Sequence, residues 1–225
     1  MTATLITNAR VLTLDGAKAA GELGALDRAD VLDDGSIRAV GPTAKANAPA
    51  KVQTLDAAGR VLMPAFIDAH THACWAGDRL DEWERKQAGA TYLEILESGG
   101  GIMSTVRAVR QASQSELTES LLDRLNHMLR EGTTAVEVKS GYGLSTEDEL
   151  KMLRAITDAA DRWPGHVTLT ACIGHALDPD VDRETFIETT IHETLDAVHA
   201  EFPAVAIDAY CETGAWTFDE TVRLF

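Results

Sequence analysis

The sequence predicts an α/β fold in which a small β-rich segment precedes a parallel sheet built from strand–helix units. The first sixty of the 225 residues alternate short strand-like pieces with turns rich in Gly, Asp and Pro. From Pro64 onward, short apolar runs are each followed by a longer segment with helical spacing, which is typical of parallel sheets. We therefore expect two domains, a small β-rich segment at 1–60 and a strand–helix segment at 61–225.

The strand-like pieces can be placed in order along the chain. In the β-rich segment they are "TLITNARVLTLD", "SIRAVG" and "KVQTLDAAGRVL". In the second segment the candidate strands are "AFIDAH" at 65–70, "TTAVEVKS" at 133–140, "HVTLTAC" at 166–172 and "AVAIDAYC" at 204–211. Four strand–helix units are half of the eight that close a (β/α)8 barrel.

Helix starts are indicated by capping boxes, in which a Ser or Thr and an acid three residues later satisfy each other's backbone N–H groups. The candidates are Ser113 with Glu116, Thr146 with Glu149, and Thr217 with Glu220. After Thr146, apolar positions recur at three- and four-residue steps and predict one buried stripe: Leu150, Leu153, Ile156 and Thr157.

Composition excludes several classes of function. Thirty-six acidic residues against twenty basic ones give a formal charge of −16, which disfavours binding to nucleic acid or to an anionic membrane. The three cysteines are widely spaced and predict neither a disulfide framework nor a CxxC-type zinc cluster. No apolar run has the length of a membrane span, and the start "MTATLITNAR" has no secretory leader, so we expect a cytoplasmic protein.

The segment "FIDAHTH" places His70 and His72 two residues apart where an apolar strand ends. At this spacing both imidazoles project from one face and can bind a single metal ion. Two solvated or hydrogen-bonded histidines are the alternative, since an HxH pair also arises by chance. The position favours the metal site, because functional groups collect at the carboxyl ends of strands in parallel barrels.

The motifs around this pair resemble a known family. "VLMPAFIDAHTH" resembles the first barrel strand of the amidohydrolase superfamily of metal-dependent hydrolases. Together with "GGGI", "KSGYGL" and "GHALDPD", it is similar to the imidazolonepropionase family over most of the chain. The resemblance implies an α/β fold that is the amino-terminal half of a (β/α)8 TIM-like barrel, preceded by a small β-rich segment of a composite β-sandwich domain. It also implies one divalent metal ion, zinc or iron.

Arg79 and Tyr142 are candidate substrate-binding residues. The planar guanidinium of Arg79 suits a carboxylate, although on sequence grounds it could instead pair with Asp78, Asp81 or Glu82. Tyr142 lies between two glycines beyond a strand and could equally be a packing residue. The resemblance favours substrate contact for both.

His175 is the candidate catalytic residue, and it is also expected to bind substrate by donating a hydrogen bond to its carbonyl. A capping or core histidine is the alternative. The family usually has Gly-Ala-His where this chain has Ile173, Gly174 and His175, and often a proline at Asp178. Lys139 could carry a carbamate as in two-metal amidohydrolases, but we expect it not to, because the resemblance is to one-metal members.

The resemblance implies hydrolysis of the cyclic amide of 4-imidazolone-5-propanoate to N-formimidoyl-L-glutamate, in histidine degradation. It also implies that the remaining metal ligands lie in a carboxyl-terminal half outside these residues, so that the chain alone would be incomplete or inactive. The expected partners are a small-molecule substrate, this missing half, or a second copy in a homodimer, with no nucleic acid and no membrane. The alternatives are another amidohydrolase, such as a nucleobase deaminase, and a non-catalytic remnant that serves as a binding or assembly module.

Overall fold

The structure, a computed structural model, describes residues 3–15, 23–91, 94–95 and 99–225. The chain divides into two compact units, Met1–Ala65 and Phe66–Phe225.

The first unit is one sheet with a short helix. Its strands are β1 (Thr4–Leu12), β2 (Ala25–Asp33), β3 (Ile37–Val40), β4 (Gln53–Asp56) and β5 (Val61–Leu62), and its helix is α1 (Pro42–Ala46). The order is β3-β2-β1-β4, and β5 also pairs with β1. Strand β2, "ALDRADVLD", is not predicted from the sequence, because its charged residues obscure the apolar alternation. Buried Ala9, Val11, Ala29 and Val31 form its main core.

The second unit contains a four-stranded parallel sheet. Its strands are β6 (Phe66–Asp68), β7 (Thr133–Lys139), β8 (His166–Gly174) and β9 (Ala206–Ala209), paired in that order. These are the four predicted strands, with ends that shift by a few residues. In the described part of the chain β6 and β9 are the sheet edges, and Phe66 and Ile67 of β6 are 55% and 75% exposed. The predicted α/β class and half-barrel arrangement are confirmed.

Helices connect these strands and cover the sheet. They are α2 (Leu80–Gln87), α3 (Ile102–Gln111), α4 (Gln114–Arg130), α5 (Thr146–Arg162), α6 (Arg183–Thr189), α7 (Leu195–Glu201) and α8 (Phe218–Leu224), with a π-helical turn, Thr190–Thr194, between α6 and α7. Buried Leu121 and Leu125 of α4 pack with Val136 and Val138 of β7 and with Ile156 of α5. Within the described ranges, no helix is both long enough and apolar enough to cross a membrane.

Two of the three predicted capping boxes form, at Ser113 with Glu116 and at Thr217 with Glu220. The third prediction, Thr146 with Glu149, is wrong. Ser145 caps α5 instead, and its side chain accepts from the backbone N–H of Asp148.

The helix α5 buries a different stripe from the predicted one. Leu153 and Ile156 are buried, but Thr157 is exposed, and Met152, Ala155 and Ala159 complete the buried face. Glu149 is also buried, because its side chain turns inward from the first turn of the helix.

Candidate metal and substrate site

The pair His70 and His72 lies in the loop that follows β6, and Thr71 between them fixes this loop to β7. The hydroxyl of Thr71 donates to the carbonyl oxygen of Glu137 (2.6 Å), and its own carbonyl oxygen accepts from the backbone N–H of Lys139 (3.1 Å). Sheet-like pairing therefore continues past the end of β6. It holds both histidines against a cavity of about 320 Å3.

Four of the predicted site residues form one cluster of rings, and three of them, His70, His72 and His175, line this cavity. The ring centroids of His70 and His72 are 5.6 Å apart in an edge-on arrangement. The ring of His175, from the loop after β8, stacks on His72 at 4.4 Å with the planes 12° apart. Tyr142 completes the cluster, with its ring 5.7 Å from that of His72 and 5.1 Å from that of His175.

Burial favours the neutral form of His72 and of His175. It lowers the pKa of His72 to about 4, and the neighbouring His175 and His70 act in the same direction. Burial also lowers the pKa of His175. Since a neutral imidazole is the form that ligates a metal, His72 is in the competent state at neutral pH.

The residues present fit part of a metal site. The Nδ1 atom of His72 is buried and has no hydrogen-bond partner among the described residues. No group of three or more His, Cys, Asp or Glu side chains in the described ranges is arranged to hold a metal ion. The two imidazoles would supply only two ligands, and a mononuclear catalytic centre usually takes three protein ligands and a water.

A triad of charged side chains centred on the buried Lys139 lies beside the cavity. The Nζ atom of Lys139 is 2.5 Å from Oδ2 of Asp208, at the end of β9, and 3.4 Å from Oε2 of Glu137. Burial alone would lower the pKa of Lys139, but the carboxylates outweigh it and raise the pKa, while Lys139 lowers the pKa of Asp208 against the effect of burial. An ammonium held in this way has no free lone pair with which to form a carbamate.

Asp208 lines the same cavity as the histidines, and sequence reasoning missed it. The signal was available, because Asp208 lies near the carboxyl end of the predicted strand "AVAIDAYC", which is the same rule that singled out His70.

The protonation of His175 is set by its neighbour Gly141. The Nδ1–H of His175 donates to the carbonyl oxygen of Gly141 (2.8 Å). Because a carbonyl oxygen can only accept, the proton is on Nδ1 and the neutral ring keeps a lone pair on Nε2. The donor role expected for His175 would require a second proton on the ring, which the lowered pKa opposes.

Arg79 does not line this cavity and is partly exposed. Its guanidinium pairs with Glu82, with Nη2 2.6 Å and Nε 2.8 Å from Oε2. This is one of the three alternative partners expected from the sequence. The charge of Arg79 still acts on Tyr142, whose pKa is raised by burial and lowered in part by Arg79. Arg79 therefore lies within electrostatic reach of the site.

Asp178, at the position where the family often has a proline, has a defined role in the loop after His175. Its Oδ2 accepts from Nη2 of Arg110 (2.7 Å), and the same guanidinium donates to the carbonyl oxygens of Gly143 and Leu144. The Arg110 side chain thereby ties the "GHALDPD" loop to the "KSGYGL" loop.

The relatives found among curated proteins include several imidazolonepropionases. The chain is 40% identical to the imidazolonepropionase of Hyphomonas neptunium over 97% of its length and 55% of the relative's. It is 41% identical to that of Herpetosiphon aurantiacus, over 98% of this chain and 55% of the relative. It is 46% identical to that of Symbiobacterium thermophilum, over 85% and 47%. The chain spans about half the length of the curated relatives it matches. No family model matches the chain.

Solved structures with a similar fold are hydrolases and deaminases of about twice the length. Triazine hydrolase from Arthrobacter aurescens is 19% identical, with a TM-score of 0.63 over 100% of this chain and 50% of that one. Atrazine chlorohydrolase from the same organism, complexed with zinc, is 18% identical, with a TM-score of 0.56 over 98% and 49%. The 5-methylcytosine deaminase from Klebsiella pneumoniae is 16% identical, with a TM-score of 0.55 over 92% and 51%. At these identities the likeness concerns the fold.

The motifs, the half-barrel and the relatives therefore agree: along nearly its whole length, this chain is similar to the amino-terminal part of imidazolonepropionases, which confirms the resemblance that its sequence indicated.

Proposed function

We propose that this chain provides the amino-terminal half of the active site of an imidazolonepropionase. The reaction adds water across the cyclic amide C–N bond of 4-imidazolone-5-propanoate, opens the ring and yields N-formimidoyl-L-glutamate. The observation that carries the proposal is the single cluster formed by the rings of His70, His72, Tyr142 and His175, in which the three histidines line one cavity. The similarity to imidazolonepropionases over most of the chain supports the choice of substrate.

His70 and His72 would hold one divalent ion, zinc or iron. Such an ion, when bound, lowers the pKa of a coordinated water and polarises a carbonyl. The neutral state of His72 and its unpartnered Nδ1 among the described residues suit this role. Two histidines do not complete a catalytic metal site, so we propose that the active protein includes further ligands from a carboxyl-terminal region such as the relatives possess.

The other residues bind and orient the substrate. The planar guanidinium of Arg79 would donate hydrogen bonds to the propionate carboxylate, which would take the place of Glu82. Tyr142, whose ring lies beside those of His72 and His175, would contact the imidazolone ring. His175 would offer Nε2 as an acceptor for a ring N–H, since its Nδ1 proton is already engaged by Gly141.

Complementation tests the function. The chain is purified alone and after co-expression with the carboxyl-terminal region of the Hyphomonas neptunium relative, the part beyond the matched residues. Bound metal is measured by mass spectrometry, and turnover is followed by the loss of imidazolone absorbance. We expect metal and ring opening in the complemented sample, with little of either in the chain alone.

The same samples are assayed with cytosine and guanine, which separates the proposal from a nucleobase deaminase. Deamination without ring opening of imidazolone propionate would overturn the choice of substrate. A complex that forms but binds no metal and turns over none of these compounds would support the non-catalytic alternative.

A further inference from the structure

The carboxylate of Glu149 is buried beneath the loop that carries Tyr142, and it takes no part in the N-terminal cap of α5. Glu149 is 2% exposed. Its Oε2 accepts from the backbone N–H of Gly141 (2.9 Å), and its Oε1 accepts from those of Gly143 (2.7 Å) and Leu144 (3.0 Å). One side chain therefore satisfies three backbone donors of the "SGYGL" turn, all of which belong to buried residues.

Gly141 connects this carboxylate to His175. Its N–H binds Glu149 and its carbonyl oxygen binds Nδ1 of His175. The residue has a positive φ of 111°, and a Cβ on it would lie 2.8 Å from the carbonyl oxygen of Cys172 and 2.9 Å from Cβ of His175. Only glycine can bring its peptide groups this close to the histidine.

The three backbone N–H groups require that both terminal atoms of the side chain at position 149 accept hydrogen bonds. An ionised carboxylate accepts at both oxygens, whereas an amide has one oxygen and one –NH2 group. Burial raises the pKa of Glu149, while the three backbone donors act in the opposite direction. A change that turns a donor toward Gly141 would break the contact nearest to His175.

We propose that Glu149 is a positioning residue for the site: acting through the two peptide groups of Gly141, it holds His175 as the Nδ1-protonated tautomer and leaves Nε2 as the acceptor toward the cavity. The same three contacts fix the backbone on both sides of Tyr142. The importance of this for turnover rests on the proposed function, but the state of the His175 ring does not.

The test compares the tautomer of His175 in the wild type and in Glu149→Gln. Long-range proton–nitrogen NMR on the purified chain measures it. The Gln amide can point its oxygen in either of two directions. If the oxygen takes the place of Oε1, the contacts to Gly143 and Leu144 remain and the –NH2 group faces the N–H of Gly141. If it takes the place of Oε2, only the contact to Gly141 remains. We expect a single Nδ1-protonated species in the wild type and a mixture of tautomers in the variant. A wild-type ring protonated on Nε2, or an unchanged tautomer in Glu149→Gln, overturns the proposal.

Glu147→Gln is the matched control. Glu147 lies in the same first turn of α5, is exposed and receives the same substitution. It should keep the wild-type spectrum, and loss of the tautomer there too would overturn the assignment to Glu149. If Glu149→Gln does not fold, amide hydrogen exchange in the wild type still tests the proposed contacts of Glu149. The amides of Gly141, Gly143 and Leu144 should be protected, and exchange at the rate of free loop amides overturns the proposal.

Turnover provides a second readout in the complemented protein. We expect kcat to fall roughly 10–100-fold in Glu149→Gln with a much smaller change in KM, because a misplaced group costs mainly the chemical step. If the wild type does not open imidazolone propionate, the proposed function fails while the NMR result still tests Glu149. If turnover is present and Glu149→Gln alters the tautomer but not kcat, the positioning role for catalysis is overturned.

Discussion

His72 and His175 stack their imidazole rings 4.4 Å apart, although they follow different strands, β6 and β8. Two rings this close cannot both carry a positive charge without strong repulsion, and His175 lowers the pKa of His72 beyond the effect of burial. Burial also lowers the pKa of His175, so both rings favour the neutral form at physiological pH. In the function proposed above, one ring would bind a metal and the other would form a hydrogen bond to a ligand.

Replacing either His70 or His72 should remove the metal. Because even partners behind a metal ligand contribute roughly 10–100-fold to affinity, we expect His70→Ala or His72→Ala to weaken binding by at least that factor in the complemented protein. Metal content after gel filtration measures the effect. His199→Ala, on the exposed face of α7, should retain the wild-type content. Full metal occupancy in both variants would rule out the ligand assignment.

Arg79→Lys should weaken substrate binding without abolishing the chemistry. A lysine keeps the charge but loses the planar pair of donors, so we expect KM for imidazolone propionate to rise about 10-fold or more, with a smaller change in kcat. Arg85→Lys, on the same helix, serves as the control. An unchanged KM in Arg79→Lys would show that the propionate binds elsewhere.

Lys139→Met should destabilise the fold. Removing one partner of a buried ion pair costs roughly 3–5 kcal/mol, and the partial exposure of Asp208 lowers this to about 2–4 kcal/mol. The free energy of unfolding from urea titration measures the loss. The exposed Lys45→Met should change it by less than about 0.5 kcal/mol. A wild-type value in Lys139→Met would mean that the triad contributes no net stability.

Glu220 makes stability depend on acid pH. Arg183, assisted by the cap of α8, holds the pKa of Glu220 at about 2, below its ordinary value of 4.5. The stabilisation is thus fully present above pH 4.5 and is lost as the pH falls toward 2. One pKa unit corresponds to about 1.4 kcal/mol, so the ceiling is roughly 3 kcal/mol before solvent screening.

The measurement is the free energy of unfolding between pH 5 and pH 2. Glu220→Gln should flatten its slope in this window, whereas Glu131→Gln, at an exposed position, should leave the slope unchanged. Parallel curves for Glu220→Gln and wild type would contradict the assignment.

Local patterns in the sequence located most of the parallel sheet and the His70 and His72 pair, because strands and their ends are encoded within a few residues. Tyr142 and His175 had local alternatives, and the family resemblance selected them as site residues. The partners of these residues were harder to predict. Asp208 pairs with Lys139 across 69 positions, and no local pattern links them.

Glu149 illustrates the same limit. Its spacing from Thr146 fits a capping box, but the buried amides of the preceding loop offer three donors, and this tertiary environment outweighs the local preference. Arg79 had three candidate acids nearby, and only the turn geometry of α2 selects Glu82.

Glu82 has one further consequence. While one of its oxygens occupies the guanidinium of Arg79, the other accepts from the backbone N–H of Gly101, at the start of α3. An anionic ligand that binds the Nε and Nη2 edge of Arg79 would have to displace this carboxylate. Because the same carboxylate also accepts from Gly101, its displacement would weaken that contact, so that binding at this edge of the arginine is coupled to the start of α3.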